Sequence, residues 1–428
     1  MRINIPTSVK SFFGDSSLYM LVNIVNKAIP FVLLPFVIRL LSAEDFGKYS
    51  LFLTLEGILI PIITLNLSVG LAKHYFLEGI DLRKYISTIF FGMISVATIF
   101  FVSILMVPAS IFDIVGLEKI YFGIAIFCAL VGACVALLLS LFRLQRKPIH
   151  YGIFLISQSL VLFFVVITFV TIQPVFDAII SAKVFAMIFC FVASITLLRK
   201  LKLIFIHFDI AWFKKALRFS LPTVVYSMSA IVFVSSDRFL IEGFLGLSAL
   251  GYYAATYQLA SIISLLGMSV NAAWMPWLFE HLAKNDDKIN VTIVKLSYLL
   301  MAVFILIGAV FSLVYPHMAA FLFPEEFHAY IWLGHLFIGG FVLEAIYLIV
   351  SPYLYYVEKT IYNLYIGVFV AAFNITVNYI FIPVYGVSAA AFAMFFSWLL
   401  LAVLFFFASN RHYKMPWLYV LRMTKSHD

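Results

Sequence analysis

The stretch that decides the fold runs from residue 19 to residue 41 and reads YMLVNIVNKAIPFVLLPFVIRLL. It is long enough to cross a bilayer as a helix, because a span needs about 20 mostly apolar residues. Lys27 lies in its middle, beside Asn23 and Asn26. A lysine at the centre of a membrane helix costs about 2.5–3.5 kcal/mol on insertion scales. We therefore predict that Lys27 faces a water-filled cavity and not lipid.

The rest of the chain has the same apolar character. Of its 428 residues, 64% are hydrophobic and only 11% are charged, whereas about a quarter of a soluble domain is charged. The sequence therefore predicts an all-α integral membrane protein. Twelve spans follow from the apolar runs, of which the eighth is overlong and contains Pro276. They cover roughly residues 17–41, 49–72, 85–108, 120–142, 151–172, 176–198, 219–241, 250–280, 291–315, 330–353, 361–382 and 387–408.

The basic residues of the chain are distributed asymmetrically about these spans. Of the 28 lysines and arginines, 22 fall in the termini and in alternate connections, and only Lys48 and Lys119 fall in the connections on the other side. Short cytoplasmic loops carry an excess of basic residues. Both termini are therefore predicted to be cytoplasmic. The net charge of +8 is explained by this topology and does not indicate nucleic-acid binding.

The longest connection divides the spans into two groups of six. It reads RKLKLIFIHFDIAWFKKALR (199–218) and mixes basic with apolar residues. This pattern favours an amphipathic helix on the inner leaflet, with a plain basic loop as the alternative. The predicted organisation is an N-terminal bundle, a cytoplasmic linker, a C-terminal bundle and a cytoplasmic tail, at 1–198, 199–218, 219–408 and 409–428.

A short pattern follows the first span of each half. Residues 41–52 read LSAEDFGKYSLF and residues 247–256 read LSALGYYAAT. Both have Leu-Ser-Ala, then glycine, one residue and tyrosine. An even number of spans in each half makes such repeats parallel, and transporters built from repeats place their sites at the repeat interface.

Three stretches carry a resemblance to a known family. They are LLPFVIRLLSAEDFGKYSLFLTLEGILIPIITLNLSVGLAKHYF (33–76), NAAWMPWLFEHLAKND (271–286) and KTIYNLYIGVFVAAFNITVNYIFIPVYGVSAAA (359–391). The chain resembles the bacterial O-antigen and capsule repeat-unit flippases of the MOP superfamily, which are relatives of the multidrug MATE transporters and the lipid II flippase. Twelve spans fit the O-antigen flippases and MATE transporters, whereas lipid II flippases usually have fourteen.

This resemblance implies a fold and a function. The implied fold is MATE-like, with two six-helix bundles around a central cavity. The implied function is to move undecaprenyl-diphosphate-linked oligosaccharide across the bacterial inner membrane by alternating access, in some members with coupling to an H⁺ or Na⁺ gradient. The expected partners are this substrate, membrane lipids, a polysaccharide polymerase and a chain-length regulator.

The polar residues of the first span share one face. Tyr19, Asn23, Asn26 and Lys27 are spaced at i, i+4, i+7 and i+8. One interpretation is a substrate-binding cavity lined by Asn23, Asn26 and Lys27. The alternative is a seam of hydrogen bonds to another helix, which asparagines often make.

Other charged residues within the spans are further candidates. Lys183 is predicted to line the cavity, or to snorkel toward the outer surface. Arg39, Asp237 and Arg238 lie near the outer ends of the first and seventh spans. Three roles stay open for them, which are an outer gate, snorkelling and substrate binding.

Two further carboxylates lie inside spans. Glu56 and Glu344 either pair with a cation or titrate and couple transport to an ion gradient. Among the charges assigned to the membrane interior, four bases exceed three acids, which favours an anionic substrate; they are Lys27, Arg39, Lys183 and Arg238 against Glu56, Asp237 and Glu344. On the eleventh span, Asn374 and Asn378 share a face with small residues, a spacing typical of helix packing.

Sequence motifs that are typical of nucleotide-binding proteins and metalloenzymes are absent from the sequence. It contains no G-x-x-x-x-G-K-[ST], no H-E-x-x-H and no clustered Cys/His set, so we expect no catalytic residues, no metal and no cofactor beyond an ion gradient. Glu44-Asp45 is similar to the acidic pair of membrane glycosyltransferases, but its loop is short.

A flippase is the preferred interpretation. The alternatives are an ion-coupled multidrug antiporter of the same fold and an integral-membrane polymerase or glycosyltransferase.

Overall fold

Helices make up nearly all of the described chain, and no strand occurs among the described residues. The computed structural model describes residues 7–68, 71, 75, 81–113, 115–284, 286–359 and 361–417. The helices are α1 (Thr7–Leu40), α2 (Ala43–Thr64), α3 (Leu82–Met106), α4 (Ala109–Asp113), α5 (Lys119–Leu144), α6 (Pro148–Ile172), α7 (Phe176–Lys200), α8 (Ile210–Leu245), α9 (Leu247–Ala260), α10 (Ile262–Leu282), α11 (Asp287–Leu322), α12 (Leu333–Val350), α13 (Pro352–Tyr356), α14 (Ile361–Tyr385) and α15 (Val387–His412). A 3₁₀ helix covers Glu325–Tyr330.

The predicted all-α membrane fold is confirmed. Eleven helical segments among the described residues are long and apolar enough to cross a membrane. Helix α8, 36 residues long, contains the seventh predicted span and is not one of these eleven segments. The overlong eighth span is divided at Ser261, which separates α9 from α10. The Ser261 hydroxyl donates to the Gln258 carbonyl at 2.7 Å, a type of bond that bends helices.

The chain forms two compact units, Met1–Gly251 and Tyr252–Asp428. In the first unit α5 is the central helix and packs against α2, α3, α6 and α7. Its small residues allow this close approach, because Ala125, Ala129 and Cys134 are all fully buried. Helix α1 packs against α6, and α7 packs against both α5 and α6.

In the second unit α12 and α15 form the core. Helix α12 packs against α10, α11 and α15, and α14 packs against α15. The segment after α15 folds back onto the same unit. Trp417 is only 5% exposed, and its carbonyl accepts a hydrogen bond from the Tyr298 hydroxyl at 3.2 Å.

The connection at 199–218 differs from the predicted linker helix. Helix α7 continues to Lys200, and an irregular segment follows up to Asp209. Asp209 then caps α8, because its carboxylate accepts from the backbone N–H groups of Ala211 and Trp212 at 2.8 and 3.2 Å. Residues 210–218 are therefore the first turns of α8 and not a separate helix. Helix α8 packs against α2 and α3, so the division between the units follows it and lies beyond the predicted boundary at 219.

The two short repeats have a structural counterpart within the first unit. A Cβ on Gly47 would overlap the carbonyl oxygen of Leu247, and a Cβ on Gly251 would overlap that of Ala43. Leu247 lies four positions before Gly251 in the second repeat, and Ala43 lies four positions before Gly47 in the first, so the two contacts are equivalent. The first turns of α2 and α9 therefore cross with their backbones in direct contact, which only glycine permits.

Candidate functional site

The polar face of α1 packs partly against α6. The Tyr151 hydroxyl donates to Asn23 Oδ1 at 3.0 Å, and the Ser159 hydroxyl donates to Asn26 Oδ1. Asn23 Nδ2 also donates to the Tyr19 carbonyl at 2.7 Å. The seam interpretation therefore describes both asparagines better than cavity lining does, because their side-chain oxygens are bonded to a neighbouring helix.

Lys27 has a different environment from the two asparagines. Its side chain is exposed, whereas Asn23 and Asn26 are half-buried. Lys27 lies ten residues from the predicted inner end of the span, which is about 15 Å along a helix. An exposed ammonium at that depth requires water, a headgroup or an anionic ligand nearby. Of the three predicted site residues on α1, Lys27 is therefore the one whose side chain is exposed.

Lys183 and Glu56 form an ion pair inside the first unit. Lys183 of α7 bonds through Nζ to Glu56 Oε2 of α2, and their side chains are only 7% and 13% exposed. The ammonium also lies 5.3 Å from the centre of the Phe52 ring. For Glu56, pairing with a cation is the predicted alternative that the structure supports. Lys183 is the other member of this ion pair, so its ammonium is directed at a carboxylate of the protein itself.

The charges near the outer ends of the spans are arranged locally. Asp237 and Arg238 are neighbours on α8, with Oδ1 and Nη1 3.3 Å apart. Arg238 Nη1 also donates to the Val234 carbonyl at 2.8 Å. Arg39 is exposed in the last turn of α1, where a cation interacts favourably with the helix dipole. A gating role for these residues stays a prediction.

Glu344 lies in the second unit, on α12. Its side chain is buried, and Tyr347 on the same face packs edge-on against Phe405 of α15 at 4.7 Å between ring centres. The side chain of Glu344 is thus enclosed within the second unit. Whether it couples transport to an ion gradient stays a prediction.

Two polar pairs have structural roles. Asn374 Nδ2 donates to Ser397 of α15 at 3.0 Å, and Asn378 Nδ2 donates to Asn374 Oδ1 at 2.9 Å, so these amides join helices as the spacing predicts. The Glu44-Asp45 pair begins α2. Glu44 pairs with Lys48 at 2.8 Å, and the Asp45 N–H donates to the capping Ser42 hydroxyl at 3.1 Å.

Sequence reasoning missed three members of these networks. Tyr151 and Ser159 on α6 are the partners of the α1 asparagines, and Phe52 lies beneath the Lys183 ammonium. A signal existed for α6, because Tyr151 and Ser159 are eight residues apart and therefore share a helix face. No sequence signal marks Phe52, which is one of 47 phenylalanines.

Comparison with known proteins agrees with this architecture. The family described as "Polysaccharide biosynthesis protein" matches residues 13–282. A protein of the Lsg locus of Haemophilus influenzae is 24% identical over 366 residues, which cover 81% of this chain and 85% of that protein. An uncharacterized membrane protein of the same organism is 22% identical over 364 residues, covering 82% and 84% of the two chains.

Two solved structures have a similar fold. The lipid II flippase MurJ in an inward closed conformation has a TM-score of 0.72 at 14% identity, with 94% of this chain and 87% of that chain covered. A multidrug resistance MATE family transporter of the MOP superfamily, in an inward-facing conformation, has a TM-score of 0.69 at 13% identity, with 94% and 96% covered. The fold is therefore that of MurJ and MATE transporters, and the protein is a multi-pass integral membrane protein.

Proposed function

Since this chain belongs to the polysaccharide biosynthesis protein family, we propose that it is a flippase for a lipid-linked oligosaccharide. The substrate is an undecaprenyl-diphosphate-linked repeat unit, moved from the cytoplasmic to the outer leaflet of the inner membrane. The product serves the synthesis of O-antigen or capsule. The transporter-like fold consists mostly of helices long and apolar enough to span a membrane. It supports a role in transport over the catalysis that soluble enzymes perform.

The observation that carries this proposal is the exposed Lys27 on α1. A diphosphate carries negative charge, and hydrogen bonds between charged groups are about twice as strong as neutral ones. Lys183 is buried and bonded to Glu56, whereas the Lys27 side chain is exposed near the middle of the first predicted span. Lys27 is the residue we assign to the diphosphate.

Transport proceeds by alternating access, with the binding face of α1 open to one leaflet at a time. Glu344 is the candidate for coupling to an H⁺ or Na⁺ gradient, because Glu56 is committed to Lys183. Arg39, Asp237 and Arg238 are the candidates for an outer gate. The product passes to a polysaccharide polymerase and its chain-length regulator.

The proposed topology has both termini and the 199–218 connection in the cytoplasm. It is supported by the uneven distribution of lysine and arginine between the two sides. A reporter that is active only in the periplasm should be silent when fused at residue 210 or after the last helix, and active when fused near Glu325. The reverse pattern would contradict the proposal.

The function is tested by deleting the gene and following the lipid-linked intermediate. Cells that lack the protein should accumulate repeat units on the cytoplasmic leaflet and lose the surface polymer. The wild-type protein and a Lys214→Glu control, changed at an exposed lysine of α8, should both restore the polymer. Normal surface polymer in a deletion strain that has no second flippase would rule the proposal out.

An ion-coupled multidrug antiporter is the second candidate, favoured by the fold similarity to a multidrug resistance MATE transporter. The two candidates differ in the charge of the substrate, because organic cations would be repelled by an accessible lysine. Overexpression should raise resistance to cationic drugs if the chain is an antiporter. We expect unchanged resistance together with restored surface polymer.

A further inference from the structure

An apolar groove lies between α6 and α7, with Phe142 of α5 beside it. Its volume is about 410 Å³. Most of its wall is made of hydrophobic side chains, among them Phe142, Ile153, Phe154, Phe189, Ala193 and Leu197. It extends along α6 from His150 to Gln158, which is about 12 Å at the rise of an α-helix. We call it the His150 groove.

One end of the His150 groove is strongly basic. Helix α6 begins and α7 ends at this place, so the connection before α6 and the last turn of α7 meet there. The four basic residues of these two segments, all exposed, are Arg146, Lys147, Arg199 and Lys200. None of them takes part in the ion pairs found among the described residues. No carboxylate of the described chain therefore lies within ion-pair distance of them.

A second groove of the first unit provides a contrast. It lies between α3, α5 and α7 and has a volume of about 700 Å³, with Phe101, Gly123 and Val184 among its lining residues. Its one charged group is Lys119. The Lys119 ammonium donates to the carbonyls of Leu105 and Val107, both at 2.9 Å, so it caps the end of α3. We call it the Phe101 groove, and its described lining residues include no basic cluster.

We propose that the His150 groove is a binding site for an anionic phospholipid. One acyl chain lies along the apolar wall, and the headgroup phosphate meets the basic residues at the groove's end. Basic pockets between membrane helices on the cytoplasmic side are suited to anionic headgroups, and each nearby lysine or arginine adds to the attraction. The predicted topology places this end in the cytoplasmic leaflet. The inference does not depend on the proposed transport function.

The first test compares two lipids that differ only in headgroup charge. Purified, delipidated protein is titrated in detergent with phosphatidylglycerol or with phosphatidylcholine of the same chains, and bound lipid is counted by native mass spectrometry. Phosphatidylglycerol should bind about tenfold more tightly, as expected when a phosphate without a balancing cation meets several basic residues. Equal binding of the two lipids would overturn the proposal.

Variants then locate the site. Arg146→Gln with Lys147→Gln should reduce the preference for phosphatidylglycerol by about tenfold. Lys214→Gln with Lys215→Gln removes the same charge from exposed positions on α8 and should leave the preference unchanged. An unchanged preference in the first double variant, or an equal loss in the second, would assign the effect to general surface charge and overturn the site.

The groove itself is tested by filling it. Ala193→Phe places a ring in the His150 groove and should abolish tight phosphatidylglycerol binding, whereas Val184→Phe on the same helix fills the Phe101 groove and should not. Variants that are monodisperse in size-exclusion chromatography are taken as folded. The comparison of the two lipids uses the wild-type protein and does not depend on these variants. Retained binding in folded Ala193→Phe would refute the groove. Far tighter binding of undecaprenyl phosphate than of phosphatidylglycerol would also refute the proposal, because the groove would then belong to the transported lipid.

Discussion

Lys27 and Lys183 are both lysines within apolar helices, and the structure places them in opposite environments. Lys183 of α7 is buried and bonded to Glu56, while Lys27 of α1 is exposed beside two asparagines that are bonded to α6. A charge that is buried among membrane helices requires a partner, whereas an exposed one can also be solvated by water. The first arrangement contributes to folding, and the second leaves the Lys27 side chain exposed within an apolar helix.

The largest effect is expected from breaking the buried pair. Lys183→Ala leaves Glu56 as an unpaired carboxylate, which should lower the free energy of unfolding by about 3–5 kcal/mol. The measurement is thermal stability in detergent together with abundance in the membrane. A control replaces both partners by apolar residues of similar size, Lys183→Met with Glu56→Leu, and should recover most of the loss. Normal stability of Lys183→Ala would show that the pair does not hold the fold.

A large effect on transport, without one on folding, is expected at Lys27. Lys27→Glu should abolish surface polymer by repelling the diphosphate, and Lys27→Ala should lower transport by about tenfold or more, as for a lost bond to a charged group. Lys27→Arg keeps the charge and should retain part of the activity. Surface polymer and protein level are measured together. A fully active, normally abundant Lys27→Glu protein would contradict the role we assign to Lys27.

The smallest effect is expected at the seam beside Lys27. Ser159→Ala removes the hydroxyl that donates to Asn26, and hydrogen bonds between membrane helices average about 0.6 kcal/mol. Thermal stability should fall slightly and transport should persist. Ser157→Ala, two residues earlier on α6 and exposed, is the matched control. A loss of transport in Ser159→Ala at normal abundance would place the seam within the binding site and weaken the contrast with Lys27.

Much of the fold follows from the sequence because the bilayer imposes a length and a composition on each span. The apolar runs predicted the long helices, and the polar residues at Asn374 and Asn378 predicted their packing correctly. The linker at 199–218 was predicted less well. Its mixed composition is compatible with a helix anywhere in the segment, whereas the actual start depends on the Asp209 cap.

The sequence by itself determined that this is a multi-span helical membrane protein with unusual charges inside its spans. It also placed the polar residues of α1 on one face. Only the tertiary structure decided which of these charges have partners, because Glu56 lies 127 positions from Lys183 and Tyr151 lies 128 positions from Asn23. Helical periodicity fixes the direction of a side chain from its own axis. It carries no information about which other helix packs there, and that packing separates the buried Lys183 from the exposed Lys27.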